Sequence, residues 1–66
     1  MTITLNGAPD AGAPTLGDLL ERHLGSREPV GVAVAVDAEV VPRHEWARWV
    51  LRDGAVVEIV TAVQGG

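Results

Sequence analysis

The sequence predicts an α+β domain, a mixed sheet packed on one main helix. Three observations point there: apolar residues alternate at period two near the start, in the middle and near the end; leucines recur at helical spacing once; and strands are not followed by helices in regular alternation. With 66 residues, 47% of them hydrophobic and 21% charged, the chain is one small domain with a core. Aromatic residues are 3%, both Trp, so that core must be built from Val, Leu, Ile and Ala.

Taken in order, Met1, Ile3 and Leu5 alternate with Thr2, Thr4 and Asn6, as in a strand with one buried face. Asn6-Gly7 tolerates positive φ at both central positions of a type I′ hairpin turn. A second strand around Ala8 to Ala13 is restricted to a short or edge position by Pro9, Gly12 and Pro14. Thr15 with Asp18 three residues on resembles a capping box, and Leu16, Leu19, Leu20 and Leu24 form one apolar stripe. The helix should stop at Gly25, suited to the left-handed position, and Pro29 prevents continuation.

Val30, Val32, Val34 and Val36 alternate with Gly31, Ala33 and Ala35, which predicts a central strand whose small-residue face lets the helix approach closely. After the polar break Asp37-Ala38-Glu39 comes a short apolar pair, Val40-Val41, ended by Pro42. Glu45 to Val50 is expected to form one or two helical turns, and Arg52-Asp53-Gly54 is a turn signal. Val56 to Val63 is then the last strand, with Val57 and Ile59 on one face and Val56, Glu58 and Val60 on the other. Residues 1–63 are therefore expected to form the folded domain, followed by a flexible tail of residues 64–66.

The charge balance, 5 Arg plus Lys against 9 Asp plus Glu for a net −4, argues against a nucleic-acid partner. Cysteine is absent, which removes disulfides, thiolate metal sites and a cysteine nucleophile. His23 and His44 lack metal-ligand spacing, no Gly-rich phosphate loop occurs, and the scattered carboxylates read as solvated surface, so neither a metal site nor a catalytic residue is expected. Without a signal peptide or a bilayer-spanning stretch, no membrane association is expected and the default location is the cytoplasm.

What remains is the end, Gln64-Gly65-Gly66. Two residues without a Cβ make the thinnest peptide, able to thread a narrow channel and present a carboxylate to another enzyme. Ionised at neutral pH, that carboxylate is a competent nucleophile toward the α-phosphate of ATP, giving an acyl adenylate open to attack by sulfur or by an amine. The machinery for such bond-making must come from partners.

Several ordered motifs then resemble the thiamine-biosynthesis sulfur carrier (ThiS) family over essentially the whole chain. They are Ile3-Thr4-Leu5-Asn6-Gly7, Thr15-Leu16 with Leu19-Leu20, Val32 to Val36, Val40-Val41-Pro42-Arg43, Trp46, Leu51-Arg52-Asp53-Gly54, Val57-Glu58-Ile59-Val60 and Gly65-Gly66. The chain departs from the family pattern at Asp37-Ala38, where Asn-Gly or Asn-Xaa is usual, and at Ala55, where an acidic residue often stands.

The resemblance implies a β-grasp (ubiquitin-like) domain, with a mixed sheet of four to five strands on one main helix. It also implies a carrier rather than an enzyme, with no bound cofactor. Gly66 would be adenylated by an E1-like partner that consumes ATP, converted to a thiocarboxylate with sulfur from a donor such as a cysteine desulfurase, and presented to thiazole synthase. Related alternatives are a sulfur carrier for molybdopterin or cysteine synthesis and a ubiquitin-like modifier. Trp46 is expected at the core edge, while Trp49 is a candidate interface residue.

Overall fold

The computed structural model of the chain describes residues 1–61, so the expected tail, Gln64 to Gly66, lies outside them. In order come β1 (Ile3–Leu5), β2 (Ala8–Asp10), α1 (Leu16–Leu24), β3 (Val32–Val36), β4 (Glu39–Val40), a 3₁₀ helix (Arg43–Arg48) and β5 (Val56–Thr61). The five strands form one mixed sheet in the order β2-β1-β5-β3-β4, with β1 and β5 parallel and the other neighbours antiparallel.

The sheet carries its apolar side toward α1. Ile3, Val34, Val36 and Val57 meet Leu16, Leu19 and Leu20 in one buried cluster, joined by Val41, Trp46, Leu51 and Ala55. Helix α1 starts as its sequence dictates: the Thr15 hydroxyl accepts from the Asp18 N–H at 3.2 Å and donates to the Asp18 carboxylate at 2.9 Å. It ends at Gly25 with φ 78°, whose N–H donates to the Glu21 carbonyl. Leu24, expected on the buried stripe, is 42% exposed because the last turn projects past the sheet.

Five local expectations are corrected. The central strand is β5, not β3, because β5 inserts between β1 and β3. The alanine face of β3 does not receive the helix: Val34 and Val36 are buried on the helix side, while Ala33 is exposed. With a single helical layer, the larger side chains gain more by facing it. Strand β3 also begins at Val32, since Val30 is 86% exposed and Gly31 turns the chain at φ 80°. Finally, the expected helical turns over Glu45 to Val50 are a 3₁₀ helix beginning at Arg43, just after Pro42. The short strand is likewise Glu39–Val40, which frees Val41 to enter the core.

The 3₁₀ helix closes the open end of the core. Trp46 is 2% exposed and its indole N–H donates to the Val41 carbonyl at 2.8 Å, in keeping with its expected structural role. Gly17 permits this packing, since a Cβ there would stand 3.0 Å from the Ala47 Cα. An ion-pair cluster ties β2 to α1: Asp10 accepts from the Gly12 N–H and lies against Arg22 and His23 of the last helical turn.

The Gly12 N–H, followed by the positive charge of Arg22 and the contact with His23, holds the Asp10 carboxyl below its ordinary range. The hydrogen bond from Thr15, with Arg27 beside it, does the same for Asp18. Carboxyls with a lower pKa folded than unfolded contribute stability above the unfolded value and lose it as pH falls through the folded one. Unfolding free energy should therefore be flat above about pH 5 and decline below about pH 4. Denaturant titrations of Asp10→Asn should show a shallower acid-side decline.

Both hairpin turns hold two consecutive residues at positive φ: Asn6 at 49° with Gly7 at 83°, and Asp37 at 51° with Ala38 at 69°. Ala38 is the strained member, since this region costs a residue bearing a Cβ roughly 1–2 kcal/mol. Ala38→Gly should relieve that strain net of its own entropy cost, stabilising the domain by about 0.5–1 kcal/mol. A melting curve should rise by roughly 3–6 °C, and a fall would show that the turn carries no strain.

Candidate functional site

Strand β5 is the last described element of the chain. It begins beside the β3–β4 turn, with Val57 opposite Val36, and reaches the far edge of the sheet with Thr61 opposite Val32. Side chains at two turns pin it. The Asn6 Oδ1 accepts from the Ile59 N–H at 2.8 Å, and the Asp37 Oδ1 accepts from the Val56 N–H at 3.0 Å. The last described residue, Thr61, thus lies at the end of the middle strand of the sheet. The residues expected to react or thread, Gln64, Gly65 and Gly66, follow within five positions and lie outside the described residues.

Among the described residues, none covers the face of the sheet away from α1. Ala33, Ala35, Val40, Glu58 and Val60 surround a shallow hollow of about 190 Å³ floored by Val34. Val40 on β4 and Val60 on β5, the two strands that flank β3, are 73% and 63% exposed, which leaves apolar surface on this face. Sequence reasoning missed this face. The available signal was that a strand apolar on both sides, in a chain with one helix, must leave one side uncovered.

A second depression lies at the other end of β5. It measures about 370 Å³ and includes Val36, Asp37, Arg48, Trp49 and Arg52 among its walls. Trp49 is half-buried, packed against the core on one side and facing this groove on the other. The structure also brings Asp37 and Glu39 to this one groove, although the sequence suggested only scattered surface carboxylates.

The histidines are at the surface and apart: His23 contacts Asp10, and His44 contacts Glu45 at 3.7 Å. Among the described residues no group of three or more His, Cys, Asp or Glu could hold a metal ion, and no helix is long and apolar enough to cross a membrane. Ala55, where the family often has an acidic residue, is 5% exposed and belongs to the core.

Comparison with known proteins agrees with this architecture. The model of the ThiS family matches residues 3–66. The sulfur carrier protein ThiS of Escherichia coli (strain K12) is 34% identical over 56 residues, covering 85% of this chain and 82% of the relative. The crystal structure of the thiamine biosynthesis protein (ThiS) from Geobacter metallireducens superposes with a TM-score of 0.77 at 30% identity, over the full length of both chains. A solution structure of a thiamine biosynthesis protein from the same organism gives a TM-score of 0.76 at 28% identity, covering 100% of this chain and 88% of the other. The β-grasp architecture and the family match through the final glycine pair agree, and the chain belongs to the ThiS family of sulfur carrier proteins.

Proposed function

We propose that this chain carries sulfur on Gly66 for thiazole formation in thiamine biosynthesis. The carrying observation is that the family match runs through residue 66, so the glycine pair is part of the matched pattern. In this reading the Gly66 carboxylate attacks the α-phosphorus of ATP in an E1-like partner, releasing pyrophosphate. A persulfide sulfur, drawn from a donor such as a cysteine desulfurase, then attacks the acyl carbon and releases AMP. A thiol cleaves the resulting acyl disulfide, leaving the thiocarboxylate for thiazole synthase.

The chain itself contributes presentation rather than catalysis. Residues 62–66 are five in number, and five residues of any conformation reach no further than about 18 Å. The reacting carbon must therefore be processed close to the end of β5, where the exposed Val60 offers apolar surface for a partner to cover. With no cysteine in the chain, no internal thiol competes for the persulfide.

Intact mass after incubation with ATP, an E1-like adenylating enzyme and a sulfur donor should rise by the mass difference between sulfur and oxygen. Deleting Gly65 and Gly66 should abolish that rise. An unchanged mass with an adenylating enzyme shown to be active on another carrier would refute the reading, and lysine conjugates of higher mass would point to a modifier. Val60→Glu places a charge on the bare face at a site already solvated. It should slow the mass gain at least about tenfold, equivalent to roughly 1.4 kcal/mol of docking energy, while the melting temperature stays near the parental value.

A further inference from the structure

Among the described residues, all but two of the side chains able to carry positive charge lie against a carboxylate. Arg22 and His23 meet Asp10, Arg27 meets Asp18 and Glu21, Arg43 meets Glu28, and His44 meets Glu45. Arg48 and Arg52 make no ion pair among these residues, and both line the groove of about 370 Å³ at the start of β5. Asp37 and Glu39 line the same groove and also form no ion pair there.

The two kinds of charge come from different segments. The arginines belong to the stretch from the end of the 3₁₀ helix to the turn before β5, and the carboxylates to the β3–β4 turn and the first residue of β4. Asp37 is held in place, because one of its oxygens accepts the Val56 N–H. Between the charges lie the apolar side chains of Val36 and Ala55, with Trp49 half-buried and Val50 60% exposed. The groove is thus lined by two arginines from one segment, two carboxylates from another, and apolar surface that includes Trp49; Trp and Arg are residue types on which interface energy concentrates.

We infer that this groove is a self-association surface, in which two copies of the chain pack groove to groove about a two-fold axis. The Arg48 and Arg52 wall of one copy then faces the Asp37 and Glu39 wall of the other, with Trp49 and Val50 covered between them. A two-fold interface requires one patch to complement itself, and a patch with two cations and two anions on separate walls does so. A chain of net −4 repels its own copies over most of its surface, whereas in this groove the charges balance. The last described residue of β5, Thr61, is five residue steps from Val56, about 17 Å along the strand. The inference does not depend on the sulfur chemistry proposed above.

Because the groove is small, the pair falls among weak interfaces below about 1,200 Å². Sedimentation of the full chain should show a monomer at about 10 µM and growing dimer toward about 1 mM, with dimer lost as salt screens the walls. Arg52→Glu and Glu39→Arg change exposed side chains, so each variant should keep its circular dichroism spectrum, and each alone should dimerise at least about tenfold more weakly. Mixed in equal amounts they should recover the dimer, since Glu at position 52 then faces Arg at 39 and the native Glu39 faces the native Arg52. A parental chain monomeric at all these concentrations, or a mixture that stays monomeric, would overturn the inference. A monomeric parent whose Arg52→Glu variant gains sulfur more slowly would do so as well, assigning the groove to a partner enzyme.

Discussion

Pairing of β5 with β1 on one side and β3 on the other is the interaction on which the other elements depend, because among the described residues it is the only strand pairing that joins the two hairpins into one sheet. Each hairpin alone is a two-stranded unit of marginal stability in water. With β5 between them, Val57 becomes fully buried and Ile3 and Val34 are brought to the same side of the sheet as the leucines of α1. The Asn6 and Asp37 side chains extend this linkage, each accepting a backbone N–H of β5 from the turn of a different hairpin. These two turn residues therefore serve the central strand as well as their own turns, which is a physical reason for amide or carboxylate side chains at both positions.

A second constraint follows from the length of the chain. One nine-residue helix can cover one side of a five-stranded sheet and no more. The 3₁₀ helix, with Trp46 beneath it and Gly17 against Ala47, completes that covered side instead of starting a layer on the other. The uncovered side keeps its Val and Ala residues exposed at a cost in hydration free energy. Such a cost is borne where a surface is covered part of the time by another molecule, and here the surface includes Val60, one residue before the last described residue of β5.

The distribution of charge separates structural from available groups. Asp10, Asp18 and their arginines fasten the edge hairpin and the helix termini, and their ionisation belongs to stability. Arg48, Arg52, Asp37 and Glu39 share a groove without pairing to one another. Two poles of β5 thus differ in kind, with apolar surface near its end and mixed charge around its start.

Local signals alone determined much of this protein. Thr15 and Asp18 opened the helix and Gly25 closed it, Asn6-Gly7 made the first turn, and alternation located β1, β3 and β5 to within a few residues. The absence of cysteine and lysine, and the glycine pair at the end, also came from residue identity alone. Tertiary structure decided which side of β3 faces the helix, that β5 is central, and that Trp49 meets Arg52 and Asp37 at one groove. The physical reason is that periodicity marks which residues share a face but carries no information about which face a distant helix will cover. Residues 37 and 52 become neighbours only after β5 has paired with β3, and no spacing along the chain encodes that pairing.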